Sequence, residues 1–381
     1  MPSFYEFFAG GGMVRAGLGD SWTCLFANDF DHKKGAVYAD NWGDEALKVD
    51  DVKRVKSADL PSIPDLVWAS FPCQDLSLAG GGAGLKGDRS GTFWPFWSLM
   101  KKLKHEGRTP PIIALENVCG TLTSHNGKDF SAICKALSDA NYKVGSLVIN
   151  ASEFVPQSRP RLFVIAVRSD IAVPQNLVED EAQSHWHTRQ LRNAYEKLPL
   201  SVQRSWVWWN LCAVPKRNTR FADLIEDEPK SVTWHSKAET KKLLNMMSNV
   251  NREKVTEAQK SGSRMVGTIY KRTRRNEDGI KVQRAEIRFD DIAGCLRTPA
   301  GGSSRQLIMV VDGNDIKSRL ISSRETARLM GLPDDYRLPE RYNEAYHLTG
   351  DGVVVPVVRH LASNIFEPLL ASYANQYKEA A

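Results

Sequence analysis

Cys73 is the side chain in this sequence with the strongest case for covalent chemistry. It stands in Phe71-Pro72-Cys73-Gln74, behind the apolar run Leu66-Val67-Trp68-Ala69 and ahead of a glycine-rich stretch over 80–91. The proline fixes the main chain just before the thiol. A strand ending at a rigid turn, with a flexible loop after it, holds a nucleophile at a sheet edge beneath a lid. Glu116, in Glu116-Asn117-Val118, follows a second apolar run over 112–115. Arg159 and Arg161, in Gln157-Ser158-Arg159-Pro160-Arg161, precede a third over 162–167. A thiol, a carboxyl group and guanidinium groups are the reagents for nucleophilic addition assisted by proton transfer and charge stabilisation. In an open α/β sheet, strand ends of this kind share one crevice.

The elements that must position these groups follow from the pattern. Apolar runs alternate with helical stretches up to Asp170, which predicts an α/β domain. Six cysteines are scattered singly, with no zinc-ligand spacing and no disulfide framework, so a reducing compartment, the cytoplasm, is expected. His185 and His187 are the one close histidine pair and have no cysteine nearby; no metal is expected. The chain has 381 residues, enough for two domains, and shows no signal peptide and no apolar run of membrane length. Its charge is uneven. Residues 171–290 carry 22 Lys and Arg against 15 Asp and Glu, and the remainder 29 against 30. The positive excess therefore sits in one segment, as expected of a face that meets phosphates. Its densest run is Tyr270-Lys271-Arg272-Thr273-Arg274-Arg275, read as a hairpin or loop. Trp206-Val207-Trp208-Trp209 has the rings to stack on bases, but a core or interface cluster is the reading preferred here. Ala238 to Ser248 is helical in pattern.

Phe71-Pro72-Cys73-Gln74, Glu116-Asn117-Val118 and Gln157-x-Arg159-x-Arg161, in this order, resemble the DNA (cytosine-5) methyltransferases. Glu6-Phe7-Phe8-Ala9-Gly10-Gly11-Gly12 is similar to the family's first motif, a strand followed by a glycine turn. Asp29 lies about 20 residues further on, the usual place for an acid that holds ribose hydroxyls. Asp50-Asp51-Val52 resembles the third motif, Arg89-x-Gly91-Thr92 the fifth, the run from Arg324 to Pro333 the ninth, and Gly350-Asp351-Gly352-Val353-Val354-Val355-Pro356 the tenth. Four positions depart from the family pattern: Glu6 and Asp29 exchange the usual acids, Met13 replaces a glycine, and Asp351 replaces an asparagine.

The resemblance implies a Rossmann-like S-adenosylmethionine-dependent methyltransferase domain, 1–170 plus 345–381. A smaller target-recognition domain would span 171–344, with the ninth-motif segment included and the recognition function within 171–295. It implies methyl transfer from S-adenosylmethionine to C5 of a flipped-out cytosine in a specific double-stranded DNA sequence. Cys73 would add to C6, Glu116 would protonate N3, Arg161 would hold O2, and Arg159 would support the loop or a phosphate. Phe8, Ala9, Gly10, Gly12, Asp29, Phe30, Asp51, Val52, Pro72, Phe93 and Asp351 would surround the cofactor. Gln74, Ser77, Lys271, Arg272, Arg274, Arg275, Ser304 and Arg305 would contact DNA. A monomer is expected, within a restriction–modification system whose cognate endonuclease acts separately. Two other readings use the same residues: an RNA cytosine-5 methyltransferase, and a non-catalytic DNA-binding regulator on a decayed scaffold. A nicotinamide-dependent dehydrogenase leaves Cys73 and the basic segment unexplained.

Overall fold

The computed structural model describes residues 1–72, 90–183, 185–275, 279–297 and 305–380. Cys73, Gln74, Ser77 and Ser304 therefore lie outside the described residues. The chain divides into two compact units. One is Met1–Asn150, Pro160–Val214 and Val353–Ala381; the other is Ala151–Arg159 and Pro215–Gly352.

The larger unit is built on seven strands: β1 Ser3–Phe7, β2 Thr23–Asp29, β3 Leu47–Val49, β4 Leu66–Ala69, β5 Ile112–Val118, β6 Tyr142–Asn150 and β7 Pro160–Arg168. Their order across the sheet is β3-β2-β1-β4-β5-β7-β6. The first five run parallel, and β7 is antiparallel to both β5 and β6. Every residue of β4 is buried, which is why a parallel strand reads as a continuous apolar run. The connections carry α1 Met13–Leu18, α2 His32–Trp42, α3 Phe93–His105 and α4 Lys128–Asp139. Chain order leaves β1 towards β2 on one side and β4 on the other. The carboxyl ends of β1 and β4 thus flank the topological switch point, where ligands of doubly wound sheets bind.

The boundary between the units differs from the one read from sequence. Residues 171–214 group with the larger unit. They form a two-stranded ladder, β8 Val178–Glu179 with β9 Trp208–Trp209, and two short helices, α5 Arg189–Tyr195 and α6 Leu200–Gln203. Leu191 and Val202 are fully buried in the larger unit's core, and Trp206 and Trp208 pack against it. The tryptophan cluster is core. After the smaller unit, α11 Val355–Leu361 and α12 Glu367–Ala380 complete the larger one. Gly17 of α1 lies so close to α11 that an added Cβ would sit 2.5 Å from Val358.

The smaller unit holds a four-stranded sheet in the order β11-β10-β12-β13: β10 Met265–Arg275, β11 Lys281–Arg288, β12 Leu307–Asp312 and β13 Asp315–Leu320. Helices α7 Lys237–Asn245 and α8 Asn249–Lys260 cover one face through Leu243, Val255 and Ala258, which pack with Ile269, Ala285 and Ile287. Then come α9 Ser323–Leu329 and α10 Tyr342–Asp351. The helical run Tyr342–Gln376 has the length and apolarity of a membrane span by composition, but half of its most apolar window is buried in the protein.

Candidate active site

Glu116 and Arg161 meet in space because of strand register. In the antiparallel β5–β7 pair, Glu116 lies opposite Phe163 and Val118 opposite Arg161. Glu116 and Arg161 are thus diagonal neighbours on one face, within reach of long side chains. Arg161 Nε lies 3.1 Å from Glu116 Oε1, and both side chains are largely enclosed. The reversal of β7 explains how an arginine at a strand's start reaches the edge where β4 and β5 end. Cys119, the first residue after β5, lies beside this pair. Burial pushes its thiol pKa upward; Arg161 opposes the shift and Glu116 adds to it. It therefore stays a thiol, unlike the thiolate that a nucleophile requires.

Asn117 faces the other way, as alternation along a strand demands. Its Nδ2 donates to the carbonyl of Phe71 at 3.1 Å, while its Oδ1 accepts from Val118 N and from Thr121 Oγ1. The end of β4 is thereby tied to the end of β5, two residues before Cys73. Sequence reasoning gave Asn117 no role. Its position next to Glu116 in a strand-end motif was the available signal. The Phe71 ring is held from beneath by Phe93 at 5.4 Å.

Phe93 was expected in the adenine pocket. It is 0% exposed, and it stacks on Trp97 with 7° between the ring planes. Its place is that of a wedge supporting Phe71, because α3 directs it into the core. Val52, 4% exposed, is likewise a core residue. Asp51 caps the short turn that follows it by accepting from Lys53 N.

The glycine turn after β1 is bonded directly to Asp29. Gly10 N donates to Asp29 Oδ2 at 2.8 Å, and Asp31 N donates to Oδ1 at 2.9 Å. Ala9 N donates to Asn28 O, and Asn28 Nδ2 reaches the carbonyls of Lys48 and Asp50. The ends of β1, β2 and β3 are therefore pinned together. Gly10 has φ +56 with open space where a Cβ would be. Gly12 has φ +77, and a Cβ there would lie 2.4 Å from Trp42 Nε1. Phe8 adopts φ +59 without being glycine, a conformation that surrounding contacts must impose. Burial raises the Asp29 pKa, opposed by Lys34 and by the two amide bonds.

These residues fit a nucleoside-bearing cofactor. Each Asp29 oxygen has used one acceptor site and keeps another. The Phe30 ring beside it is 66% exposed, and the glycine turn leaves the approach to its main chain open. Asp351 is exposed at the end of α10, in the smaller unit. Behind the turn, Glu6 is fully buried. Its pKa is pushed up to about 8 by desolvation, with only partial relief from the Val14 amide. Its Oε2 has no hydrogen-bond partner among the described residues.

Arg159 occupies a different setting from Arg161. It is 2% exposed, in the smaller unit. Its guanidinium donates to the carbonyls of Leu296, Gly350 and Gly352. That arrangement clips together three segments of its own unit. Arg305 donates to Asn343 at 2.5 Å and lies over the Tyr342 ring.

The basic run forms one strand of a hairpin, the first of the two forms read from sequence, and alternation sorts its cations. Arg272 and Arg274 share a face with Tyr270, Arg284 and Glu286; Lys271 and Arg275 share the opposite face with Ala285 and Lys281. Glu286 lies 3.4 Å from Arg272 and 2.6 Å from Arg274. Two like-charged pairs stand directly across the hairpin, Arg272 with Arg284 and Arg275 with Lys281.

The profile of the C-5 cytosine-specific DNA methylase family matches residues 3–367. The type II methyltransferase M.HhaI of Haemophilus parahaemolyticus is 25% identical over 364 residues, which is 95% of this chain and 93% of that protein. M.BsuFI of Bacillus subtilis is 24% identical over 97% of this chain and 73% of its own length. Among solved structures, the Dnmt2 methyltransferase of S. pombe superposes with a TM-score of 0.62 at 17% identity, covering 97% of this chain and 99% of its own.

Proposed function

Because the chain belongs to the C-5 cytosine-specific DNA methylase family, whose chemistry is S-adenosylmethionine-dependent methylation of cytosine, we propose that it methylates C5 of a cytosine rotated out of a specific duplex sequence, with Cys73 as nucleophile. The observation that carries this reading is the Glu116–Arg161 pair, standing one strand from the Phe71 carbonyl that Asn117 holds.

The chemistry follows from the base. Cytosine C5 is a weak nucleophile until the C5=C6 bond is opened. The Cys73 thiolate supplies the electron pair of a new S–C6 bond. Glu116 gives a proton to N3 as negative charge enters the ring, which leaves C5 enamine-like. Arg161 holds O2 and keeps Glu116 oriented. S-adenosylmethionine supplies the methyl group. Loss of the C5 proton to a base, expulsion of the Cys73 thiolate and return of the N3 proton to the Glu116 carboxylate restore the neutral aromatic ring and the acid. Asp29 would hold the ribose hydroxyls, Phe30 would cover the adenine and Asp51 would accept from its amino group. The smaller unit would read base edges in the major groove. The type II names of the relatives support a restriction–modification setting; a separately acting endonuclease and a monomeric enzyme are part of the same proposal.

The test uses the full chain with labelled S-adenosylmethionine and either genomic duplex DNA or total RNA, followed by bisulfite sequencing. Duplexes carrying 5-fluorocytosine at the sequence so found should trap the wild type covalently, and Cys73→Ser should neither trap nor turn over. Methylation confined to RNA, or turnover by the serine variant, overturns the reading.

A further inference from the structure

The smaller unit does not hold all of the chain's exposed cations. In the larger unit, the segment after β5 leaves the sheet at the same edge as Phe8 and Ser70, because β1, β4 and β5 run parallel. It runs through Cys119 to Gly127 into α4. Along it lie His125 and Lys128, both exposed. Residues 171–214 place α5 beside this segment. Gln190 Nε2 donates to the carbonyl of Cys119 at 3.4 Å. Lys197, just past α5, donates to Asn126 Oδ1 at 3.1 Å. That partner is a neutral amide. Neither Lys128 nor Lys197 has a carboxylate partner among the described residues.

The scaffold beneath these groups is rigid. Leu191 and Ala194 anchor α5 in the core, and Thr188 caps its start. Asp129 accepts from Ser124 Oγ at 2.5 Å and pairs with His125 Nδ1 at 2.8 Å, which fixes the imidazole. Asp129 is itself buried, and Glu196 is the exposed carboxylate nearest in sequence.

We propose that His125, Lys128, Gln190 and Lys197 form a second DNA-backbone contact, in the larger unit, at the sheet edge that carries Glu116. Lysine ammonium groups and side-chain amides on a fixed frame suit phosphate oxygens and carry no sequence information. The patch supplements base reading by holding the duplex against the catalytic edge. This inference rests on the DNA-methylating reading above.

The experiment is fluorescence anisotropy of a labelled duplex of arbitrary sequence, titrated with the full-length chain between 50 and 200 mM salt, values set by the range over which counterion release is read. Lys128→Gln/Lys197→Gln should lower the log–log salt slope by about 1.8, two contacts at about 0.9 each. Binding of S-adenosylhomocysteine by calorimetry and the melting temperature should be unchanged. The charge-reversing pair Lys128→Glu/Lys197→Glu should weaken binding further. An unchanged slope in a variant that still melts as wild type overturns the patch while leaving methylation intact. A wild type that neither binds the duplex nor methylates DNA overturns the underlying reading as well.

Discussion

Asn117 donates to the carbonyl of Phe71 while its neighbour Glu116 pairs with Arg161 on the opposite face of the same strand. One strand end thus ties down the Phe71 carbonyl, two residues before Cys73, and carries the acid that the proposed mechanism uses. Asn117→Asp keeps the acceptor for Val118 N and Thr121 Oγ1 but removes the donor to Phe71. We expect correct folding, a melting temperature lowered by the loss of one buried hydrogen bond, and trapping by 5-fluorocytosine slowed by about 10- to 100-fold, the scale of a small misplacement of a reacting group. The affinity for S-adenosylhomocysteine should be unchanged. Wild-type trapping by this variant would reduce the Asn117–Phe71 bond to a packing detail.

Glu116→Gln preserves shape and removes the exchangeable proton. Single-turnover methyl transfer should fall by about 100-fold or more. Arg161→Ala leaves Glu116 buried without its partner and should cost a similar factor. The double variant should lose far less than the product of the two, because residues in contact do not act independently. Full additivity would show that the 3.1 Å pair is not the working unit.

Much of this site was legible because buried parallel strands announce themselves. The apolar run Leu66-Val67-Trp68-Ala69 is β4 residue for residue, and Ile112 to Leu115 is most of β5. Long-range pairing was not legible. Nothing in Leu162 to Val167 says that β7 runs antiparallel, yet that reversal carries Arg161 to Glu116. The unit boundary was misplaced for a related reason. Residues 171–214 look like the start of a basic domain, but Trp206, Trp208 and Leu191 find their apolar partners in residues far away in the chain. The basic run Tyr270 to Arg275 was legible as a hairpin or loop, and the hairpin form is the one found; its register against Lys281 to Glu286 was not. Phe93 was assigned by motif, and only packing shows that its ring faces inward.

Glu6 gives a pH dependence of defined sign. Its pKa is raised from 4.5 to about 8 by burial. Between these values the folded chain keeps a proton that the unfolded chain has released. Stability should therefore be fully present below about pH 4.5 as far as this group is concerned, and be lost as pH rises towards 8. Glu6→Gln should flatten the melting temperature between pH 5 and 8, values bracketed by the same linkage argument. A wild type whose stability rises with pH across this window, with an unchanged slope in the variant, would contradict a neutral buried Glu6.

The basic hairpin yields the sharpest trade-off. Arg272 faces Arg284 directly across β10 and β11, and like charges so placed destabilise a sheet. Glu286 lies close to Arg272 and Arg274; Arg284 adds a charge that the free protein does not need. Arg284→Gln should therefore raise the stability of the free protein by about 0.2–1 kcal/mol while weakening its binding to DNA. If Arg284 meets a phosphate, the salt slope should drop by about 0.9 for target and non-target duplexes alike. If it reads a guanine, the loss should be about 1–3 kcal/mol and fall on the target alone. Chemical denaturation of the free protein, together with anisotropy on both duplexes, separates these outcomes. A variant that gains stability without losing affinity for either duplex would show that the arginine pair is merely tolerated, and would move the DNA-binding face away from this side of the hairpin.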